Sequence, residues 1–208
     1  TLYAEWRYRV LFNANSGTGA PSVDSRTAIG TLPVTLATIG TLARTGYTFA
    51  GWNTLASGAG VNFAAGLNTF TSSTGNITLF AQWNSTITYN GNGNSGGSAP
   101  TSTTALGSTP VVLATPANTL VRTGWTYGGW NTQANGRGVS YPAGGNYTSV
   151  GNITLFAQWN ARITYDTNSA TSGSVPAPLN ITGNDTVTAS LNVNSLVRAG
   201  YTFVGWNT

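Results

Sequence analysis

Short stretches of alternating apolar and polar residues, separated by tracts rich in glycine and asparagine, run the length of this chain. One of them puts Tyr8, Val10 and Phe12 on one side of an extended segment, and its counterparts further along are Ile87 with Tyr89 and Ile163 with Tyr165. A period of two is the mark of a strand with one buried face. The turn-rich tract that follows includes Asn90-Gly91 and Asn92-Gly93, where both residue types tolerate positive φ. Its length varies, since Phe12 lies 9 residues before Pro21 whereas Tyr89 and Tyr165 lie 11 before Pro100 and Pro176. Such variation suits an exposed hairpin tip. A second, threonine-rich strand region is predicted over Thr31 to Thr38, Thr109 to Thr115 and Thr186 to Val193. A third strand carries Tyr47 and Phe49, Trp125 and Tyr127, or Tyr201 and Phe203 on one face. A glycine-spaced turn (Gly58-Ala59-Gly60, Gly136-Arg137-Gly138) then leads to Val61 and Phe63 or to Val139 and Tyr141. The last strand puts Leu79, Ala81 and Trp83 on a shared face. No segment sustains a 3.6-residue apolar period, so the fold is expected to be mainly β. Little helix is expected, one or two turns near Ala64 to Asn68 and Ala143 to Asn146.

The strands come in sets. The phrase Thr-Leu-[Tyr/Phe]-Ala-[Glu/Gln]-Trp occurs at Thr1 to Trp6, Thr78 to Trp83 and Thr154 to Trp159, at spacings of 77 and 76 residues. A second phrase, Arg-[Thr/Ala]-Gly-[Tyr/Trp]-Thr-[Phe/Tyr]-x-Gly-Trp-Asn-Thr, recurs at Arg44 to Thr54, Arg122 to Thr132 and Arg198 to Thr208. Two independent phrases thus give one period. The chain divides into the last strand of a preceding repeat (1–6), two repeat modules (7–83 and 84–159) and the first part of a further one (160–208). The native polypeptide is expected to be longer. Boundaries are expected close to Trp83 and Trp159, with linkers too short for free tumbling. Catalysis needs a particular group in one place, whereas repeated modules supply length, spacing or many weak contacts, so the periodicity favours a scaffold or an adhesive surface.

Composition narrows the means of stabilisation. A module of this size buries only ~60% of its unfolded surface and is marginal alone. With no cysteine there is no disulfide, and with no histidine and four scattered acids there is no plausible structural metal site. All eight basic residues are arginine, so a Lys–Asn isopeptide bond is excluded too. Sheet packing and contacts between adjacent repeats must carry the stability. Charged residues are 6% of the chain, against ~25% in ordinary domains. Lacking histidine, the chain has almost nothing that titrates between about pH 5 and 8. The net charge of +4 is dispersed, whereas phosphate recognition wants clustered Lys and Arg, so no nucleic acid is expected as partner. No apolar run reaches the ~18 residues of a membrane span.

The recurring aromatic residues are the candidates for a role. Trp6, Trp83 and Trp159 are equivalent, as are Trp52, Trp130 and Trp206. Exposed, they would be stacking platforms for sugars; buried, they are the main core residues of small sheets, together with Phe12, Tyr47, Phe49, Tyr89 and Tyr165. The core reading is the stronger. Trp125 stands where Tyr47 and Tyr201 do and reads as an aromatic swap. Arg44, Arg122 and Arg198 are read as turn-supporting, each guanidinium satisfying turn carbonyls or packing over a neighbouring ring, rather than as a row of ligand-binding cations. No catalytic constellation is present: the carboxylates are Glu5, Asp24, Asp166 and Asp185, with no His or Lys base and no partner to activate a hydroxyl. No cofactor, catalytic residue or metal ligand is therefore assigned. Asn-x-Ser/Thr triplets start at Asn76, Asn84, Asn146, Asn152, Asn180 and Asn184, as an Asn- and Thr-rich chain produces by chance.

The string Phe12-Asn13-Ala14-Asn15, the Arg-Thr-Gly-Tyr-Thr-Phe-Ala-Gly-Trp-Asn-Thr phrase, the Gly-x-Gly turn and the Asn-Ile-Thr-Leu-Phe-Ala-Gln-Trp ending together resemble the Listeria-Bacteroides repeat family, also called internalin B-type B repeats. The resemblance covers essentially the whole chain. It implies tandem β-grasp-like modules of about 76–77 residues forming an elongated array in secreted or wall-attached bacterial proteins. The expected role is mechanical, as stalk, spacer or filament scaffold at the cell surface, with adjacent repeats and other copies of the chain as partners. The rival is an adhesin-type module contacting glycans, the cell wall or a host protein.

Overall fold

The computed structural model describes residues 1–4, 6–21, 24–29, 36, 39–64, 75–107, 109–116, 120–182 and 195–207. In chain order the strands are β1 (Arg7–Asn13), β2 (Asp24–Ile29), β3 (Thr48–Asn53), β4 (Asn62–Phe63), β5 (Ile77–Asn90), β6 (Thr103–Leu106), β7 (Val111–Val112), β8 (Thr126–Asn131), β9 (Ser140–Tyr141), β10 (Asn146–Tyr147), β11 (Ile153–Ile163) and β12 (Leu179–Thr182). The protein is mainly β, and the described residues contain no helix.

In the first repeat β1 pairs antiparallel with β2 and parallel with the start of β5, Val10 opposite Ile77 and Asn13 opposite Phe80. On its other side β5 pairs antiparallel with β3, which pairs with β4. The order β2-β1-β5-β3-β4 therefore sets two antiparallel hairpins about one central parallel pair. A parallel pair needs a long crossover, and here the whole repeat lies between its two strands. Tyr8, Val10, Leu36, Leu42, Trp52, Leu79, Ala81 and Trp83 form the core, with Phe12, Tyr47, Phe49 and Phe63 packed against it. Alternation along β1 and β5 was enough to identify this face.

The boundary between repeats is not a linker. β5 runs for 14 residues through Trp83 and Asn84, and β11 for 11 residues through Trp159 and Asn160. Along β5 the side chains of Leu79, Ala81, Trp83, Ser85, Ile87 and Tyr89 are all buried, so one face continues across the boundary. Past the boundary β5 pairs with β6, and β11 with β12, both antiparallel. The chain forms two compact units that cross the sequence repeats. One comprises 1–88, 101–113 and 145–154, the other 89–100, 114–144 and 155–208.

Two expectations need correction. The threonine-rich region Thr109 to Thr115 is not a hairpin strand: only Val111–Val112 is extended, paired with β10. Pro110 and Pro116 bracket it, and proline cannot donate to a ladder. The partner of the opening strand comes earlier, as β2, β6 or β12. The equivalent regions Thr31 to Thr38 and Thr186 to Val193 lie outside the described residues apart from the buried Leu36. The expected helical turn at Ala143 to Asn146 is a turn leading into β10. Gly144 sits at φ +67°, outside the right-handed helical region. The companion segment falls largely on residues 65–68, outside the described residues.

Candidate functional site

Three constellations recur and constitute what the repeats present. The first is aromatic. Trp52 touches Phe12 and Phe49, with centroids 4.7 and 5.1 Å apart, and Phe49 reaches Trp83 edge-on at 5.9 Å. In the second repeat Tyr89, Tyr127, Trp130 and Trp159 reproduce these spacings at 4.7, 5.5 and 5.9 Å. Offset and edge-on pairs of this kind contribute beyond their buried area. The indole N–H of Trp83 donates to the carbonyls of Ala14 and Asn15, and that of Trp159 to Gly91 and Asn92. The closing strand is thereby fastened to the tip of the opening hairpin. In 160–208 Tyr165, Phe203 and Trp206 keep the same spacing, 4.7 and 5.3 Å, around an open groove of about 1160 Å³.

Burial of Trp52, Trp83, Trp130 and Trp159 leaves no sugar-stacking face on them. Trp6, by contrast, is 80% exposed, against the expectation that it is core. The groups that cover its equivalent Trp83, namely Ala14 and Asn15, precede it by nearly a whole repeat.

The second constellation is the Arg-x-Gly-aromatic turn. The aromatic N–H donates to the arginine carbonyl at 3.0 Å in all three copies, Tyr47 to Arg44, Trp125 to Arg122 and Tyr201 to Arg198. Gly46, Gly124 and Gly200 hold φ of +76°, +77° and +79°, the position of a type II turn that requires glycine. Each guanidinium lies over its ring at 3.8, 4.2 and 4.3 Å from the centroid. Of the two roles open to these arginines, the structure shows packing over the ring.

The third constellation was missed by sequence reasoning. Buried Asn53 accepts the N–H groups of Leu55 and Gly60 and donates to Gly58 O and Asn62 Oδ1, closing the Gly-x-Gly loop from inside. Asn131 does the same with Gln133, Gly136, Gly138 and Ser140. Asn15, at φ 46°, donates to the carbonyls of Ala56 and Ala81, and Asn92 matches it with Ala134 and Ala157. The available signal was that these asparagines recur at fixed places, Asn53 and Asn131 directly after a tryptophan and Asn15 and Asn92 three residues after the aromatic Phe12 or Tyr89.

Acid–base chemistry finds little here. Tyr127 is the one described group whose ionisation is clearly shifted, raised well above the usual tyrosine range by burial and then by Tyr89 nearby. Its hydroxyl is buried without a hydrogen-bond partner. Asp166 is exposed and accepts the N–H of Asn168 in a local turn. Glu5, Asp185 and the side chain of Asp24 lie outside the described residues. Among the described residues no three His, Cys, Asp or Glu side chains gather where they could hold a metal.

With this geometry in hand, comparison with known proteins is decisive for the family. The model of the Listeria-Bacteroides repeat domain matches three times in tandem, at residues 8–82, 86–158 and 162–208. The chain belongs to the Listeria-Bacteroides repeat family. This repeat chain is 31% identical over 180 residues to a protein of Evansella cellulosilytica named as a Gly-rich membrane protein, covering 83% of the chain and 20% of that relative. It is 39% identical over 88 residues to another from the same organism, named as a membrane protein, covering 40% of the chain and 13% of the relative. The chain thus spans a fifth or less of the length of these relatives. No solved structure matches it. Among the described residues no helix is long and apolar enough to cross a membrane, which says nothing of β-barrels.

Proposed function

We propose that this chain is a non-enzymatic structural part of a bacterial surface protein, in which β-grasp-like repeats form an elongated stalk, spacer or fibre scaffold outside the cell. The observation that carries the reading is the continuous strand at each boundary, 14 residues in β5 and 11 in β11. A pull along the chain reaches the boundary as a load on a laddered strand rather than on a free linker. The β-grasp assignment is supported by the strand order about a central parallel pair. The extracellular placement is supported by the family and by relatives named as membrane proteins. The scarcity of charge and the absence of histidine suit a medium whose pH and salt are not controlled.

Partners in this reading are adjacent repeats and other copies of the chain. Natural sheets guard their edges with charge, above all lysine, and this chain has none. Association through uncharged edges or faces should depend little on salt. The test is negative-stain microscopy of the full-length native protein and of versions with one or two repeats deleted. Threads of constant width that shorten with each deletion are expected. Compact particles of unchanged outline would overturn the stalk, and retention of a glycan ligand by buried-tryptophan variants would redirect attention to the surface.

A further inference from the structure

The two segments that would carry tension into and out of a repeat lie side by side. In the repeat 7–83 the chain enters along β1 and leaves along β5, and these strands are parallel neighbours, Val10 opposite Ile77, Leu11 opposite Thr78, Phe12 opposite Leu79 and Asn13 opposite Phe80. Tension on the polypeptide pulls the start of β1 one way and the end of the closing segment the other. The pair is then loaded in shear, along its strands. The evenly spaced bonds of a parallel ladder take such a load together rather than one after another.

Side chains lengthen this ladder at both ends. Before its first rung the N–H of Arg9 donates to Asn76 Oδ1 at 2.8 Å. Beyond its last, Asn15 Nδ2 donates to the carbonyl of Ala81 at 2.8 Å, and the indole N–H of Trp83 to the carbonyls of Ala14 and Asn15, both at 3.0 Å. Residues 9–15 and 76–83 are thus joined over their whole length. The added rungs recur in the repeat 84–159: Thr86 N–H donates to Asn152 Oδ1, Asn92 Nδ2 to the carbonyl of Ala157, and the Trp159 indole to the carbonyls of Gly91 and Asn92. Sliding β1 along β5 would also drag the buried Val10, Leu79, Ala81 and Trp83 out of register, exposing apolar area in the same step. The hub on Asn53, by contrast, closes its loop within 53–62, off the line from entry to exit.

We infer that the opening segment and the closing strand form a mechanical clamp in the repeats 7–83 and 84–159. Its end fastenings are Asn15, Asn76 and Trp83 in the first and Asn92, Asn152 and Trp159 in the second. Resistance to pulling is set at these rungs and not by the overall stability of the repeat, because forced unfolding follows the barrier in the pulled direction rather than the equilibrium free energy. The polar fastenings suit a chain that has neither disulfide nor Lys–Asn crosslink to hold it under load. The inference deepens the stalk reading proposed above and rests on it for the source of the tension.

Single-molecule pulling on the full chain tests it. The chain has no cysteine, so a pair of introduced cysteines gives unique handles. Leu2→Cys with Asn84→Cys pulls along the line from entry to exit, whereas Ser16→Cys with Asn84→Cys pulls both strands from the same end and peels them apart. Leu2 and Ser16 are both exposed. At one loading rate the first pair should rupture at roughly twice the force of the second or more, because the rungs share the load in one geometry and meet it singly in the other; equal forces would overturn the inference. In the first geometry Asn76→Ala should lower the rupture force with little change in the urea midpoint, and Asn53→Ala should shift the midpoint and leave the force nearly unchanged. Rupture forces that simply follow the midpoints would also overturn it. Should Asn53→Ala fail to fold, the two pulling geometries and Asn76→Ala decide. Rupture at the same low force in both geometries, in a protein that still forms threads, would refute the clamp and leave the stalk standing. Directional rupture in a protein that forms no threads would keep the clamp and remove the stalk.

Discussion

Trp6 and Trp83 end the same six-residue phrase in opposite surroundings, one 80% exposed and the other 2%. Thr78–Trp83 lies within β5, whereas the described residues among 1–6 form no strand. Trp83 has Phe49 against its ring and the carbonyls of Ala14 and Asn15 on its indole nitrogen, all from residues that precede it by 34 or more positions. The burial of Trp83 thus depends on groups supplied by the earlier part of the same repeat. Contacts this distant in sequence carry a loop-closure cost that only the assembled core offsets.

The comparison can be broken from either side. The largest effect is expected from Trp83→Ala or Trp159→Ala, each destabilising its repeat by ~3–5 kcal/mol in urea denaturation, the usual cost of emptying a large core site. A variant that keeps its midpoint would contradict the core assignment. Next comes Asn131→Ala, which leaves the N–H groups of Gln133 and Gly138 without their acceptor; a loss of ~2–3 kcal/mol is expected, with faster exchange confined to residues 131–140.

Tyr127→Phe sharpens the likeness of the two complete repeats, because Phe49 already fills that place in the first. Removing an unpartnered buried hydroxyl should stabilise the second repeat by ~1 kcal/mol. It should also change the alkaline limb. The folded ionisation lies above that of the unfolded chain, near 10, so this group's contribution is fully present below about pH 10 and is lost as the pH rises further. In the phenylalanine variant that part of the alkaline loss should be absent from a stability–pH profile. The smallest effect is expected at Trp6→Ala, within ~0.5 kcal/mol. A larger cost would mean that this exposed indole has a partner in solution.

How far the sequence could be read follows from where each signal lies. In the repeats 7–83 and 84–159 the opening, third and closing strands were legible because alternation and a buried face go together, from Tyr8 and Val10 to Leu79, Ala81 and Trp83, whereas the strands expected at Tyr201 and Phe203 and over 1–6 are not formed among the described residues. The hairpin partners β2, β6 and β12 were not, because their threonine and asparagine content resembles that of the loops, and the more β-branched run at Thr109 to Thr115 drew the assignment away from them. Arginine packing on the turn aromatic was one of two alternatives, and spacing alone could not choose between ring and carbonyl. The asparagine hubs escaped because a polar residue in a loop phrase reads as solvated. Asn53 and Asn131 are instead buried among backbone groups that have no other means of closing the loop.

The continuous boundary strand also limits how such an array can change its length. A strand alternates inward and outward with period two, so one inserted residue turns every following side chain to the other side. In β5 the same face buries Trp83, Ser85 and Ile87, and a single insertion after Trp83 would turn Ile87 outward. The spacing at this place is invariant within the chain: Trp6 to Val10, Trp83 to Ile87 and Trp159 to Ile163 are each four residues. The differences in length fall elsewhere, in the hairpin tip, where Phe12 to Pro21 is 9 residues against 11 for Tyr89 to Pro100, and in the connection before the closing strand, where Phe63 to Asn76 is 13 against 11 for Tyr141 to Asn152. Gain and loss of material is thus expected in whole repeats, in tips or in the connection before the closing strand, and a frame-preserving indel at a boundary should be among the least tolerated changes in the protein.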